Sequence, residues 1–271
     1  MDKPNFDFVF VVLVYRNTGD LEDFFSSNSI PCSRVIVVNS FYDKESDALF
    51  QQIARAHGAD FISVPNKGYG YGNNRGCEYA LEHYDFKYLV ISNADITIET
   101  LDVAELARFG EAIIAPKLIN LKGKNQNPHW PFKISRMELK WVYNAYLKRR
   151  KRLFYLFAVL SRIRKNVFLL FNKMFGRTRI FAPHGAFTVF SSSAIRKLYP
   201  LYDENIFLFC EEGDVAFKSK QLNIPVFYSD RNVIHHKEDG SISLENHNLF
   251  ELGRESYFKF YNHWFGDGRT E

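Results

Sequence analysis

The sequence predicts an α/β fold: a mostly parallel central sheet with helices on both faces, plus a basic, amphipathic helical insertion. Three observations lead there. Short apolar runs rich in Val, Ile and Phe recur through the first 120 residues. Segments of helical period separate them. Residues 121–180 then break the pattern in charge and aromatic content.

Residues 7–15, DFVFVVLVY, are nearly unbroken in their apolar character, as expected of a strand covered on both faces. A helix is expected over 20–27 and a second buried strand over 34–39. Residues 44–57 place Leu49, Ile53 and Ala54 on one helical face. A short strand follows at 60–64, then a Gly-rich loop, a helix at about 73–83, and a fourth strand at 87–92 that ends on Asn93-Ala94-Asp95. Strand and helix alternating at this spacing argue for a parallel sheet. Such sheets bind ligands beyond the carboxyl ends of their strands, so the loops after Tyr15, Asn39, Val64 and Ser92 form the expected crevice. Further strands are expected at 112–118, 186–191 and 225–228, and a closing helix at 246–262.

The chain has 271 residues, enough for one large α/β domain with an insertion, and 46% are hydrophobic, which excludes global disorder. Cys32, Cys77 and Cys210 are odd in number and form no C-x-x-C pair, so neither a disulfide framework nor a zinc site is expected, and a reducing compartment is. The N-terminal residues run straight into a strand without a cleavage signal. No apolar stretch is long enough to span a bilayer.

Four constellations can carry chemistry. Asn66-Lys67-Gly68-Tyr69-Gly70-Tyr71-Gly72-Asn73-Asn74-Arg75-Gly76 combines glycines that permit close backbone approach with a helix start whose N–H groups can meet a phosphate or sugar hydroxyls. It does not fit a dinucleotide fingerprint: the third glycine is missing, and the loop follows the third strand, not the first. Asp95 stands at a strand tip, where Mg²⁺ or Mn²⁺ on a diphosphate needs only one or two carboxylates. Glu211, Glu212 and Asp214 crowd three carboxylates into four positions, which raises at least one pKa and suits a general base; a solvated acidic helix start is the alternative. His235-His236 offers an imidazole to a metal site, or is merely exposed.

In their order and spacing these segments resemble the family-2 glycosyltransferases of the GT-A fold, and within them the rhamnosyltransferase-like enzymes of bacterial surface polysaccharides. The resemblance covers about residues 8–120 and 181–262. The loop at 66–76 is similar to the family's N-x-G-x-G-x-G-N-N-x-G run, and Asn93-Ala94-Asp95 to its D-x-D-type metal motif. His184-Gly185-Ala186-Phe187 resembles its acceptor-side G-A-F strand, and 203–214 its acidic stretch. The resemblance implies a nucleotide-sugar-binding half (1–120), an acceptor and catalytic half (181–245) and a C-terminal helix (246–271) in one GT-A domain. It implies a metal held by Asp95 and His235, with His236 as the alternative, and a catalytic base at Glu212 oriented by Glu211 and Asp214. Donor contacts fall to Tyr15, Asn39, Asn66, Gly68, Gly70, Gly72, Asn73, Asn74 and Asn93, and Arg254 meets the diphosphate. The chain departs from the pattern with Asn at 39 and 93, and with Glu at 212, where the family carries Asp.

The function implied is inverting transfer of a sugar from a nucleotide-diphospho-sugar, dTDP-rhamnose or a UDP-hexose, to a polyprenyl-diphosphate-linked glycan or a polysaccharide. A catalytically degenerate sugar-nucleotide-binding module and a sugar nucleotidyltransferase are the alternatives. Residues 121–180 hold 16 Lys and Arg and one acid, Glu138, whereas the remainder holds 19 basic and 30 acidic residues. Apolar residues at helical spacing between basic clusters over 146–172 point to an anionic membrane surface. Packing on the domain or on a second copy stays open, and the clustered apolar residues argue against nucleic acid. The expected location is cytoplasmic, at the inner face of the cell membrane.

Overall fold

A computed structural model describes residues 3–176, 178–238 and 249–266. The first half comprises β1 (Asn5–Val14), α1 (Thr18–Ser27), β2 (Ser33–Phe41), α2 (Lys44–Ala56), β3 (Asp60–Pro65), α3 (Tyr69–His83) and β4 (Asp85–Asn93). Then come β5 (Ile96–Thr100), α4 (Val103–Ala107), β6 (Ile113–Asn120), α5 (Arg136–Leu147), α6 (Lys151–Phe175), β7 (Arg179–Ile180) and β8 (Phe187–Ser191). The chain continues through α7 (Ser192–Leu198), α8 (Glu211–Gln221), β9 (Val226–His236) and α9 (Leu249–Phe265). The expected start of the last helix at 246, and the boundary drawn at 245, lie outside the described residues.

One sheet runs β3-β2-β1-β4-β8-β6-β9-β5, with β7 paired to β9. β3, β2, β1 and β4 are mutually parallel, β8 is antiparallel to β4 and β6, and β9 returns parallel to β6. The unbroken apolar runs have a simple cause: successive side chains alternate faces, and both faces are covered. Val9, Val11, Ile36, Val38, Leu89 and Ile91 pack on one side with Cys77 and Ala80 of α3 and Ile195 of α7. Phe8, Phe10, Val12, Val37, Tyr88 and Val90 pack on the other with Leu21 and Phe24 of α1 and Phe50 and Ile53 of α2.

Two features position the site. α3 begins at Tyr69, four residues before the expected start, so Gly70, Gly72 and Gly76 lie inside it and press it onto the sheet. A Cβ at Gly76 would fall 2.2 Å from Val11 Cγ1 and 2.9 Å from Val38 Cγ2. β5, which the sequence reading missed, pairs antiparallel with the end of β9, Ile96 opposite His236 and Thr97 opposite His235. β9 changes register against β6 at Pro116/Lys117. Within that shift Asn232 is fully buried; its Oδ1 accepts from the Asp102 amide (2.7 Å) and its Nδ2 donates to Ser229 Oγ (2.9 Å).

The segment at 121–180 is helical only from 136 onward. Gln126 and Asn127 before it bond back to β6. α5 buries Leu139 in a third cluster with Tyr257, Phe260 and Tyr261 of α9. Among the described residues no helix is long and apolar enough to cross a membrane.

Gly76→Ala forces a methyl group into the strand side chains beneath α3. It is expected to destabilise the fold by about 1–3 kcal/mol, read as a lower thermal midpoint, whereas Gly58→Ala, at an open loop position of positive φ, tests backbone strain alone.

Candidate active site

The carboxyl ends of β1, β2 and β4 open onto a cleft of about 800 Å³. Tyr15, Ser40, Asn66, Gly68, Asn93 and Asp95 line one part, and His184, Gly185, Glu211, Glu212 and His236 another. Leu249 and Leu252 of α9 border it. Asp95 and Glu212 therefore face one space, from different elements.

Asp95 sits between β4 and β5 and is 3% exposed. Its backbone carbonyl accepts from the Lys237 amide (3.0 Å), which closes the β5–β9 ladder beside it. His236 Nε2 lies 3.2 Å from Asp95 Oδ2, yet that oxygen has no hydrogen-bond partner. The orientation of the ring explains this. Gln126 Nε2 donates to Glu238 Oε1 (2.6 Å), so Gln126 Oε1 is turned toward His236 Nδ1 at 2.8 Å and accepts its proton. With Nδ1 engaged by Gln126, the ring leaves Nε2 facing the Asp95 carboxylate oxygen. Two such atoms facing each other in a buried place fit a cation between them, and an imidazole fixed through its other nitrogen is the usual arrangement of a metal ligand.

His235 does not take this role. Neighbouring strand residues point to opposite faces, so His235 turns away from the cleft to Glu99 Oε2 (2.6 Å), where it is exposed. Among the described residues no group of three or more His, Cys, Asp and Glu gathers around one point. Asp95 and His236 are the two side chains placed side by side in the cleft, and a cation that also holds diphosphate oxygens needs only one or two protein carboxylates.

The Gly/Asn run divides in two. Asn66 and Gly68 line the cleft. Gly68 has φ +111°, and a Cβ there would meet Phe207 O at 2.3 Å. The first amide of α3, at Tyr69, donates to that same carbonyl (2.8 Å). Gly70, Gly72, Asn73 and Asn74, expected as donor contacts, are buried in packing instead. Gly70 abuts Tyr202, and Gly72 abuts Leu13. Asn73 Nδ2 donates to Tyr69 O (3.0 Å). Asn74 Nδ2 donates to Tyr202 O (2.9 Å), and the Tyr202 amide donates to Asn74 Oδ1 (3.0 Å). The run docks α3 onto the 202–207 segment; it is not a phosphate cradle.

That segment leads into α8 through Phe209 and Cys210, both left-handed with φ 73° and 74°. Non-glycine residues there cost roughly 1–3 kcal/mol each, and the turn sets Glu211 and Glu212 at the positive end of a helix. Glu212 Oε1 accepts from the Gly185 amide (3.3 Å), while Tyr69 Oη donates to the Gly185 carbonyl (2.9 Å), so Gly185 links α3, α8 and the start of β8. Burial opposes charge on Glu212, but His129, His184 and backbone N–H groups outweigh it and hold its pKa below the ordinary value. Glu211, deeply buried and beside the Glu212 charge, is pushed up to about 8. Burial drives His184 down to about 4 against the pull of Glu212. At neutral pH the pair is therefore split, Glu211 protonated and Glu212 ionised.

Asp214 stands apart from the cleft lining. It accepts from the Asp203 amide (2.9 Å) and Trp264 Nε1 (2.8 Å), and ties α8 to the 203 turn and to α9. Arg254, expected to meet the diphosphate, lies away from the lining, where it pairs with Glu251 (2.9 Å) and stacks over Phe258. Asn39 is 1% exposed and donates to Asp47 Oδ1 (2.8 Å), one residue below the cleft-lining Ser40. Tyr15 lines the cleft edge-on to Tyr42. Gln126 was not expected in the site, and His184 was expected only as part of the strand at 184–187. Gln126 lies in the segment taken for helical insertion, where nothing local marks it.

Solved structures share this architecture, although neither a family profile nor a curated protein matches the sequence. GalNAc-T7 with UDP, GalNAc and Mn²⁺ matches with a TM-score of 0.57 and 13% identity, over 87% of this chain and 44% of that one. The fold is GT-A. S. aureus TarS matches with a TM-score of 0.52 and 12% identity, over 97% of this chain and 44% of that one. The mannosyltransferase PcManGT from Pyrobaculum calidifontis, in complex with GDP-Man and Mn²⁺, matches with a TM-score of 0.51 and 11% identity, over 97% and 73%. The chain thus spans less than half the length of the first two, and at these identities the likeness is one of fold.

Two outcomes follow from the geometry. Because the folded state holds the Glu211 proton up to about pH 8, while the unfolded chain releases it at about pH 4.3, stability should fall as pH rises through that window. Glu211→Gln should flatten this fall, so that its thermal midpoint exceeds that of the wild type at about pH 8–9. Titration calorimetry with Mn²⁺ and a nucleoside diphosphate should show His236→Ala weakening metal-dependent binding and His235→Ala leaving it near wild type.

Proposed function

We propose that the protein is a nucleotide-sugar-dependent glycosyltransferase that inverts the anomeric centre by a single displacement. The observation that carries this reading is the shared cleft: a buried Asp95–His236 pair with an unpartnered carboxylate oxygen on one part of its lining, and an ionised Glu212 on another. The ligands named in the neighbouring structures, UDP with Mn²⁺ and GDP-Man with Mn²⁺, give general support for a sugar-nucleotide donor and a divalent cation.

Asp95 and His236 would hold Mg²⁺ or Mn²⁺, which when bound supplies Lewis-acid stabilisation of the departing diphosphate. Tyr15, Asn66, Gly68 and Asn93 border the space left for the nucleotide and sugar. Glu212 accepts the proton of the acceptor hydroxyl as that oxygen attacks the anomeric carbon. Glu211, protonated beside it, relieves the repulsion of a second charge. The Gly185 amide keeps the Glu212 carboxylate aimed into the cleft. The donor we propose is dTDP-rhamnose or a UDP-hexose, and the acceptor a lipid-linked or polysaccharide glycan; the apolar border made by Phe207, Leu208, Leu249 and Leu252 suits an acceptor with an apolar carrier.

The test is turnover of a sugar-nucleotide panel with Mn²⁺. Glu212→Gln should lower transfer by about 10²–10⁴-fold while nucleotide affinity stays within a few-fold. Asp95→Asn should lower both transfer and Mn²⁺-dependent nucleotide affinity. Near-normal transfer by Glu212→Gln would remove the base from the mechanism.

A further inference from the structure

The outer face of α6 has no counterpart inside the domain. Among its described residues only Phe168 is fully enclosed, packed against Phe132 and Tyr228. Away from that contact Leu156, Leu160, Ile163, Val167, Leu170 and Met174 recur at alternating spacings of four and three. They form one stripe along about 27 Å of helix. Leu156 is 54% exposed, Ile163 54%, Leu170 56% and Met174 62%. Isolated exposed apolar residues are ordinary; a continuous stripe of this length marks an interaction surface.

The charges beside the stripe choose its partner. α6 carries six cations and no acid. Arg164 turns inward to Glu138 (2.5 Å) and Lys165 to the Gln126 carbonyl (3.0 Å). Lys151, Arg162 and Lys173, all exposed, recur every eleven residues, which is close to three turns, so they form one row along a flank of the helix, roughly 100–140° around it from the centre of the apolar stripe. A second α6 seated on the stripe would bring six more cations and no acid to pair with them, the reverse of a helix pair matched by opposite flanking charges. An anionic bilayer matches both halves, apolar stripe to acyl chains and cationic flank to headgroups.

We propose that α6 lies along an anionic membrane surface and docks the domain there through this face. The consequence for the cleft is direct. Lys165 holds Gln126, which orients His236, and Arg149 of the α5–α6 turn bridges to Glu251 (2.8 Å) on α9, whose Leu249 and Leu252 border the cleft. The docking face is therefore connected to the cleft lining through Gln126 and α9. The docking itself is independent of the transfer chemistry, and its test reads no catalysis.

The full chain is sedimented with vesicles of phosphatidylcholine alone and with ~30 mol% phosphatidylglycerol added. The wild type should bind the anionic vesicles at least ~10-fold more tightly, and binding should weaken as salt is raised. Ile163→Ser/Val167→Ser/Leu170→Ser should lose most of that binding, and so should Arg162→Glu/Lys173→Glu. All five positions are exposed, so both variants should keep the wild-type thermal midpoint. Wild-type levels of binding by both variants, or none by the wild type, would overturn the proposal. So would a solution dimer, seen by light scattering and dissolved by the triple substitution, because the stripe would then belong to a second copy.

Discussion

The site rests on the seating of α3 against the 202–207 segment. A backbone carbonyl, Phe207 O, accepts the first amide of the helix at a place where only glycine fits, and Asn74 grips both polar groups of the Tyr202 backbone. Each bond is worth only about 1 kcal/mol net. Their effect is geometric: they fix the course of the chain just before it turns into α8 and presents the cleft carboxylates. Tyr69 extends the same grip to Gly185, and Gly185 meets Glu212. Helix, acidic segment and strand entrance are thereby set relative to one another by contacts that each have a main-chain group on at least one side.

Electrostatics then separates two adjacent acids. Glu211 is desolvated and stands next to a charge, so it keeps its proton; Glu212, which accepts from the Gly185 amide and has its pKa held below the ordinary carboxylate value, loses its own. The helix terminus favours the single negative charge. A proton acceptor that is already ionised at neutral pH is what deprotonation of an alcohol requires, and the neutral neighbour avoids placing a second anion in the same enclosure.

Much of the fold was legible in the sequence, because burial on both faces of a sheet writes itself as unbroken apolar runs, and the Val9/Phe10 alternation between two cores is the direct result. The site was legible in its residue types and less so in its contacts. The glycines read as room for a ligand, but most make room for Leu13, Val11 and Tyr202; both uses leave the same mark, a missing Cβ. β5 is five residues long and follows a turn, too short for its period to show. Without it, nothing decides which of two successive histidines faces inward. Gln126 acts through an amide 110 residues from its partner, a relation no local pattern contains.

The tandem histidines give β9 an ambiguity that Asn232 resolves. If the strand slid by one residue, Val233 would enter the place of Ile234 and His235 that of His236, exchanges the core and the cleft could both absorb. Arg231 would then occupy the enclosed position of Asn232, without the amide that satisfies both Asp102 and Ser229. A polar side chain remote from the cleft lining thus governs, through the alignment of its strand, which imidazole meets Asp95.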